Sequence, residues 1–166
     1  MAITRQTTEI KRRPYRILFR TPAGDALDVP VGAAGFSTFF GTFSEAGFLQ
    51  KDTLDFSGED GDSIELDDES LLSLGVNLNL TAELIQTGDT ESTDLRAIDR
   101  LSQDIMLYAE DTVTVANSKI HVFANVPISI KPKVGSNEVD SWSLSAAKAN
   151  ASDLNAVHID YLQPTA

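Results

Sequence analysis

The chain has 166 residues, 42% apolar and 23% charged, the balance of one soluble globular domain with a core of its own. It has no cysteine, which excludes disulfides, thiolate chemistry and Cys-ligated zinc. The net charge of −12 conceals a split, because residues 1–20 hold six of the thirteen bases and one of the twenty-five acids. An acidic body argues against tight nucleic-acid binding. A basic arm on such a body serves as a nucleic-acid tail or docks on another copy of the same body. No apolar run approaches 18 residues, and residues 1–15 lack the apolar stretch of a signal peptide, so neither a membrane-spanning helix nor a leader is expected.

Residues 1–13 show no periodicity and are read as a flexible basic arm, followed by a single β-rich domain over 14–166. "PYRILFR" alternates as a first strand, and "TPAGDALDVP" reads as a turn and a short strand. In "GAAGFSTFFGTFSEAGF", Phe36, Phe39, Phe40 and Phe43 recur at the spacing of one helical face, while Gly35, Gly41 and Gly47 weaken the helix. This aromatic segment suits the chain's own core, a plug between subunits or the wall of a ligand pocket.

Residues 51–70 pack nine carboxylates, with Gly58 and Gly61 marking a turn and "SIEL" a short strand. Aligning Gly61 to the sixth position of an EF-hand loop puts Phe56 where an Asp is needed, so a solvated acidic hairpin is expected rather than a calcium site. From Leu72 to Leu84 every even position is apolar, and Ser73, Asn77, Asn79, Thr81 and Glu83 stand among the odd ones. That predicts a strand about 40 Å long with one wet face, at roughly 3.3 Å per residue. Leu95, Ile98, Leu101 and Ile105 then switch to a helical stripe, with Thr93 as N-cap, and predict one amphipathic helix lying on a sheet.

"SKIHVFANVPISIK" is a second over-long alternating run, in which Pro127 on the polar side marks an edge or a bulge. "DSWSLSA" alternates around Trp142 and Leu144, "SAAKANASDLN" reads as a loop, and "AVHIDYL" closes the sheet. The fold class expected is mainly β: an antiparallel β-sandwich or part-barrel with one flanking amphipathic helix and long strands that close a barrel across subunits.

No catalytic constellation is present. His121 and His158 both fall in strands, outside any metal-ligand spacing, and read as packed or exposed strand residues. Neither a nucleophile elbow nor a phosphate-binding Gly-rich loop occurs. The expectation is a non-enzymatic protein with no cofactor and no metal.

Asn77, Asn79 and Thr81 are short and uncharged, whereas a strand facing bulk water usually carries charges that discourage edge pairing. A lumen or a subunit interface tolerates such residues better, and closing long strands across subunits leaves a channel. The run "VNLNLTAELIQTGDTESTDLRAIDRLSQDI" and the pair "SKIHVFANVPISIKPKVGSNEVDSWSLSAAKA" resemble a bacteriophage tail tube protein, of the superfamily shared with contractile injection and type VI secretion tubes. The resemblance spans about residues 14–162. It implies β-sandwich subunits in hexameric rings that stack into a hollow tube for genome delivery.

On that resemblance Ser73, Asn77, Asn79, Thr81 and Glu83 face the lumen, and Lys11, Arg12, Arg13 and Arg16 form a ring-stacking arm. That arm docks on an acidic patch of Asp60, Asp62, Asp67, Asp68 and Glu69, and Phe36, Phe39, Phe40 and Phe43 pack between subunits. The implied partners are further copies, other tail proteins, and DNA that passes without tight binding; no membrane is involved. The implied location is the virion tail, after assembly in the host cytoplasm. The alternatives are a tail completion or connector protein, a β-sandwich binding module of a fibre or adhesin, and an enzyme whose site carries no known motif.

Overall fold

A computed structural model of the chain describes residues 15–22, 24, 32–45, 47–50, 52–60, 63–73, 75–85, 95–109, 119–136, 140–151 and 158–162. The chain order is β1 (Tyr15–Arg20), α1 (Gly32–Phe40), β2 (Ser44–Glu45), β3 (Phe48–Leu49), β4 (Asp55–Asp60), β5 (Ser63–Glu65) and β6 (Leu71–Ser73). Then come β7 (Val76–Ile85), β8 (Ser102–Ala109), β9 (Lys119–Lys133), β10 (Ser141–Ala151) and β11 (His158–Leu162). Nine strands form one antiparallel sheet, ordered β2-β1-β8-β9-β10-β7-β3, with β11 on β9 and β4 on β7; the sheet does not close into a barrel within the chain. The expected mainly β, antiparallel class is what the structure shows.

The sheet folds over itself along β9. Its first half pairs β8 on one edge and β11 on the other, and its second half, from Ile128, pairs β10. Between them lies a bulge, where Asp104 of β8 faces both Ala124 and Asn125 of β9, and Asn125 takes a left-handed φ of 48°. The buried Asp104 holds this corner: its Oδ1 accepts from Asn125 N–H at 2.8 Å, and its Oδ2 accepts from Arg20 at 2.9 and 2.6 Å. Pro127, expected at a bulge or edge, stands two residues on and is exposed. No described strand pairs it on the β10 side, so its missing N–H leaves no ladder bond unmade.

One core lies between the two halves of the sheet. Ile17, Phe19, Ile105, Leu107 and Phe123 from β1, β8 and early β9 meet Leu78, Leu80, Leu84, Trp142 and Leu144 from β7 and β10. A second cluster covers the opposite face of the first half, where Phe36 and Phe43 pack on Leu18, Met106, Tyr108, Ile120 and Val122. Of the residues expected between subunits, Phe36 and Phe43 are buried within the chain itself, while Phe39 and Phe40 are half-buried.

The helix expected after Thr93 is also corrected. Among the described residues helix covers 95–98, and Leu101 and Ile105 belong to the approach to β8 and to β8. Every residue from Gln103 to Tyr108 is buried, because the core covers one face and α1 with its aromatic flank the other. A strand buried on both faces loses its alternation, and its apolar run then imitates a helical stripe. Gly58, expected in a turn, pairs with Leu78 inside β4, and the loop expected after Ser145 continues as β10.

Candidate functional site

The long strand of residues 72–84 is two strands, parted at Gly75, whose φ of 104° an L-residue rarely adopts. Beyond the break the hairpin continues in register: Asp60 faces Val76 in β4–β7, and Ser63 faces Ser73 in β5–β6. Residues 55–81 therefore make one hairpin, closed at its tip by Leu66 N–H to Ser70 O at 2.8 Å and Glu69 N–H to Leu66 O at 2.9 Å. Its outer part leaves the sheet. Ser73 belongs to β6 in that outer part, beyond the β7 stretch that carries Asn77.

The wall itself is the outer face of β9, β10, β7 and β4. The register places Ser129, Ser145, Thr81 and Asp55 in one row across the four strands, and Ala147, Asn79 and Ser57 in the next. Asn79, Thr81, Ser143, Ser145 and Ala147 are exposed, while Asn77 and Glu83 are half-buried. Charge stands on the two outer strands of this face, Lys131 and Lys133 on β9 and Asp55 and Glu59 on β4, and at Glu83 on β7, while Ser143, Ser145 and Ala147 of β10 and Asn77, Asn79 and Thr81 of β7 are uncharged. Lys133 of β9 reaches across the small serines of β10 to Glu83 of β7, Nζ to Oε1 at 3.0 Å. Of the expected wet face, Asn77, Asn79, Thr81 and Glu83 stand together on this wall. Ser129, Ser143, Ser145 and Ser57 join them; the odd positions of the first three in alternating runs were the available signal, and Ser57 had none.

Of the other expected site residues, Lys11, Arg12, Arg13 and Asp62 lie outside the described residues. Arg16 is not part of a free arm: it is in β1, and its guanidinium meets Glu45 at 2.7 Å. Asp60, Asp67, Asp68 and Glu69 are all exposed on the hairpin. The Asp68 carboxyl is held below the usual aspartate range, first by the Ser70 hydroxyl and then by the Ser70 N–H at 3.0 Å. Both bonds are to the carboxylate, so they are present at neutral pH and are lost as pH falls through that lowered value. Ser70→Ala should raise the Asp68 pKa towards the ordinary value, read by NMR titration of its side-chain carbon; an unmoved titration would assign the shift elsewhere.

Arg20 lies between Phe39 and Phe43, its guanidinium carbon 5.0 and 4.6 Å from the ring centres, so the aromatic segment is tied to the Asp104 corner. His121 Nδ1 and His158 Nε2 stand 3.0 Å apart in stacked rings, and His158 also stacks on Phe123. Among the described residues no three His, Asp or Glu side chains are grouped to hold a metal ion. A cleft of about 320 Å³ lined by Arg96, Asp99, Ile130, Pro132 and Trp142 has its indole covered by Arg96, 5.2 Å from the ring centre.

No protein-family model matches the chain, and no curated protein does. Among solved structures it is similar to a chain from the tail of an empty GTA particle refined helically with C6 symmetry. The identity is 17% and the TM-score 0.42, over 82% of this chain and 91% of that one.

Proposed function

We infer that the chain is a structural subunit of a phage-like particle tail, and within the tail a subunit of the tube. The observation that supports this reading is the four-stranded wall. A wide, wet sheet face whose middle is serine, threonine, asparagine and alanine, with charge on its two outer strands and at Glu83, is a poor solvent face and a good channel lining. Such a lining offers DNA neither a phosphate-binding lattice of bases nor an apolar surface, so a polyanion slides without being held. Copies related head to tail around an axis close a ring with this face inward.

The binding-module alternative draws no support, since Trp142 is buried and capped by Arg96 rather than displayed on a flat face. The non-enzymatic reading is part of the same proposal. Light scattering after size exclusion, at high protein concentration and near-physiological salt, followed by negative-stain imaging, tests it. Rings or hollow filaments are expected. A species that stays monomeric under those conditions would sink the tube assignment.

A further inference from the structure

The projecting hairpin carries an apolar strip that the rest of the chain leaves open. Even-numbered residues of β7 face the core, and the register carries that parity past Gly75 to Leu72 and its partner Ile64, and on to Leu66. All three belong to neither core cluster and are 44–50% exposed, with Leu71 at 72%. Large side chains at such exposure on a β-ribbon need a cover.

The charges around the strip say what kind. Residues 52–95 hold thirteen acids and no base, whereas residues 1–13 hold Arg5, Lys11, Arg12 and Arg13 against the single acid Glu9. Residues 1–13 also supply Ile3 and Ile10. The position of β1 decides which copy supplies the cover. Tyr15 lies 6.2 Å from His121, His121 5.3 Å from His158, and His158 4.9 Å from Phe56, ring centre to ring centre. Phe56 is in β4, at the root of the hairpin. The segment before Tyr15 and the hairpin therefore leave from the same end of the sandwich. Thirteen residues reach about 45 Å when extended, and the hairpin from Phe56 to its tip spans about 33 Å. A tethered segment within reach acts at an effective concentration of about millimolar.

We propose that residues 1–13 lie along the chain's own hairpin in the free subunit, bases on its acids and isoleucines on its apolar strip. The contact covers the strip until another surface displaces it. This inference does not rest on the tail reading.

Carbodiimide coupling of the full chain tests it, because it joins a lysine amine only to a carboxylate in contact. Lys11, the one lysine of residues 1–13 and four residues from Tyr15, should couple to Glu59 or Asp60 near the hairpin root within the monomer band, with a yield independent of protein concentration. Reversing Lys11, Arg12 and Arg13 to Glu should raise amide hydrogen exchange over residues 63–73 several-fold. Reversing Glu59 and Asp60 to Lys in that variant should restore the protection. Coupling only in a dimer band that grows with concentration would make a neighbouring copy the occupant and overturn the proposal. So would unchanged exchange in the reversed variant. Loss of rings with these contacts intact would count against the tube alone.

Discussion

Leu78→Lys with Leu80→Lys should leave the chain unfolded at every temperature, while Asn79→Lys with Thr81→Lys, one residue along the same strand, should fold. Leu78 and Leu80 are 1% and 0% exposed, at the centre of the core between the two halves of the sheet. Each forfeits about 1.5–3 kcal/mol of apolar burial. Each lysine adds several kcal/mol of desolvation with no carboxylate to meet it. Together these exceed a stability of roughly 5–15 kcal/mol. Asn79 and Thr81 point the other way because side chains alternate along a strand. Both are exposed, and Asp55 stands opposite Thr81 with a carboxylate that a lysine could meet. Far-UV circular dichroism and thermal melts separate the two pairs. On the tube reading, filaments of the second variant should also retain DNA and release it steeply as salt rises. If both pairs unfold the chain, the outer wall is not a wet face.

Asp104→Ala should cost about 3–5 kcal/mol, more than any other single polar truncation in the described chain, because it strands two groups at once. Arg20, whose side chain is 16% exposed, loses its ion partner, and Asn125 loses the acceptor for its N–H at a strained left-handed position. Asp104→Asn, which keeps an oxygen for Asn125 but no charge for Arg20, should cost less. Arg20→Met with Asp104→Leu should recover part of the ion-pair loss, since an apolar pair replaces the desolvated charges, but not the bond to Asn125. Urea midpoints at constant slope give the comparison. A cost under about 1 kcal/mol for Asp104→Ala would mean that β9 turns its corner without this anchor.

The residues that line the wall were legible before any coordinates. Asn77, Asn79 and Thr81 on β7, like Ser143 and Ser145 on β10, alternate with leucine, alanine or tryptophan, and period two follows from the geometry of a single extended chain. The acidic hairpin was legible as composition, but the position of its turn was not. β4 owes its strand to pairing with β7, and its own residues, Asp, Gly, Glu and Asp among them, are poor strand formers.

What the sequence by itself determined is each strand with one wet and one dry face, and the separation of a basic segment from an acidic body. Both are local: alternation and charge are written residue by residue. Only the tertiary structure decided that 103–108 is a strand, since burial under both the core and α1 removes the alternation that would announce it. Only it joined Asp104 to Arg20 and Asn125, eighty-four and twenty-one residues away. It also split the long strand at Gly75 and sent its apolar face out along the hairpin, where Ile64 meets Leu72 with no core beneath. A pattern of apolar residues states which side must be dry; what keeps it dry depends on surfaces brought together from distant parts of the chain.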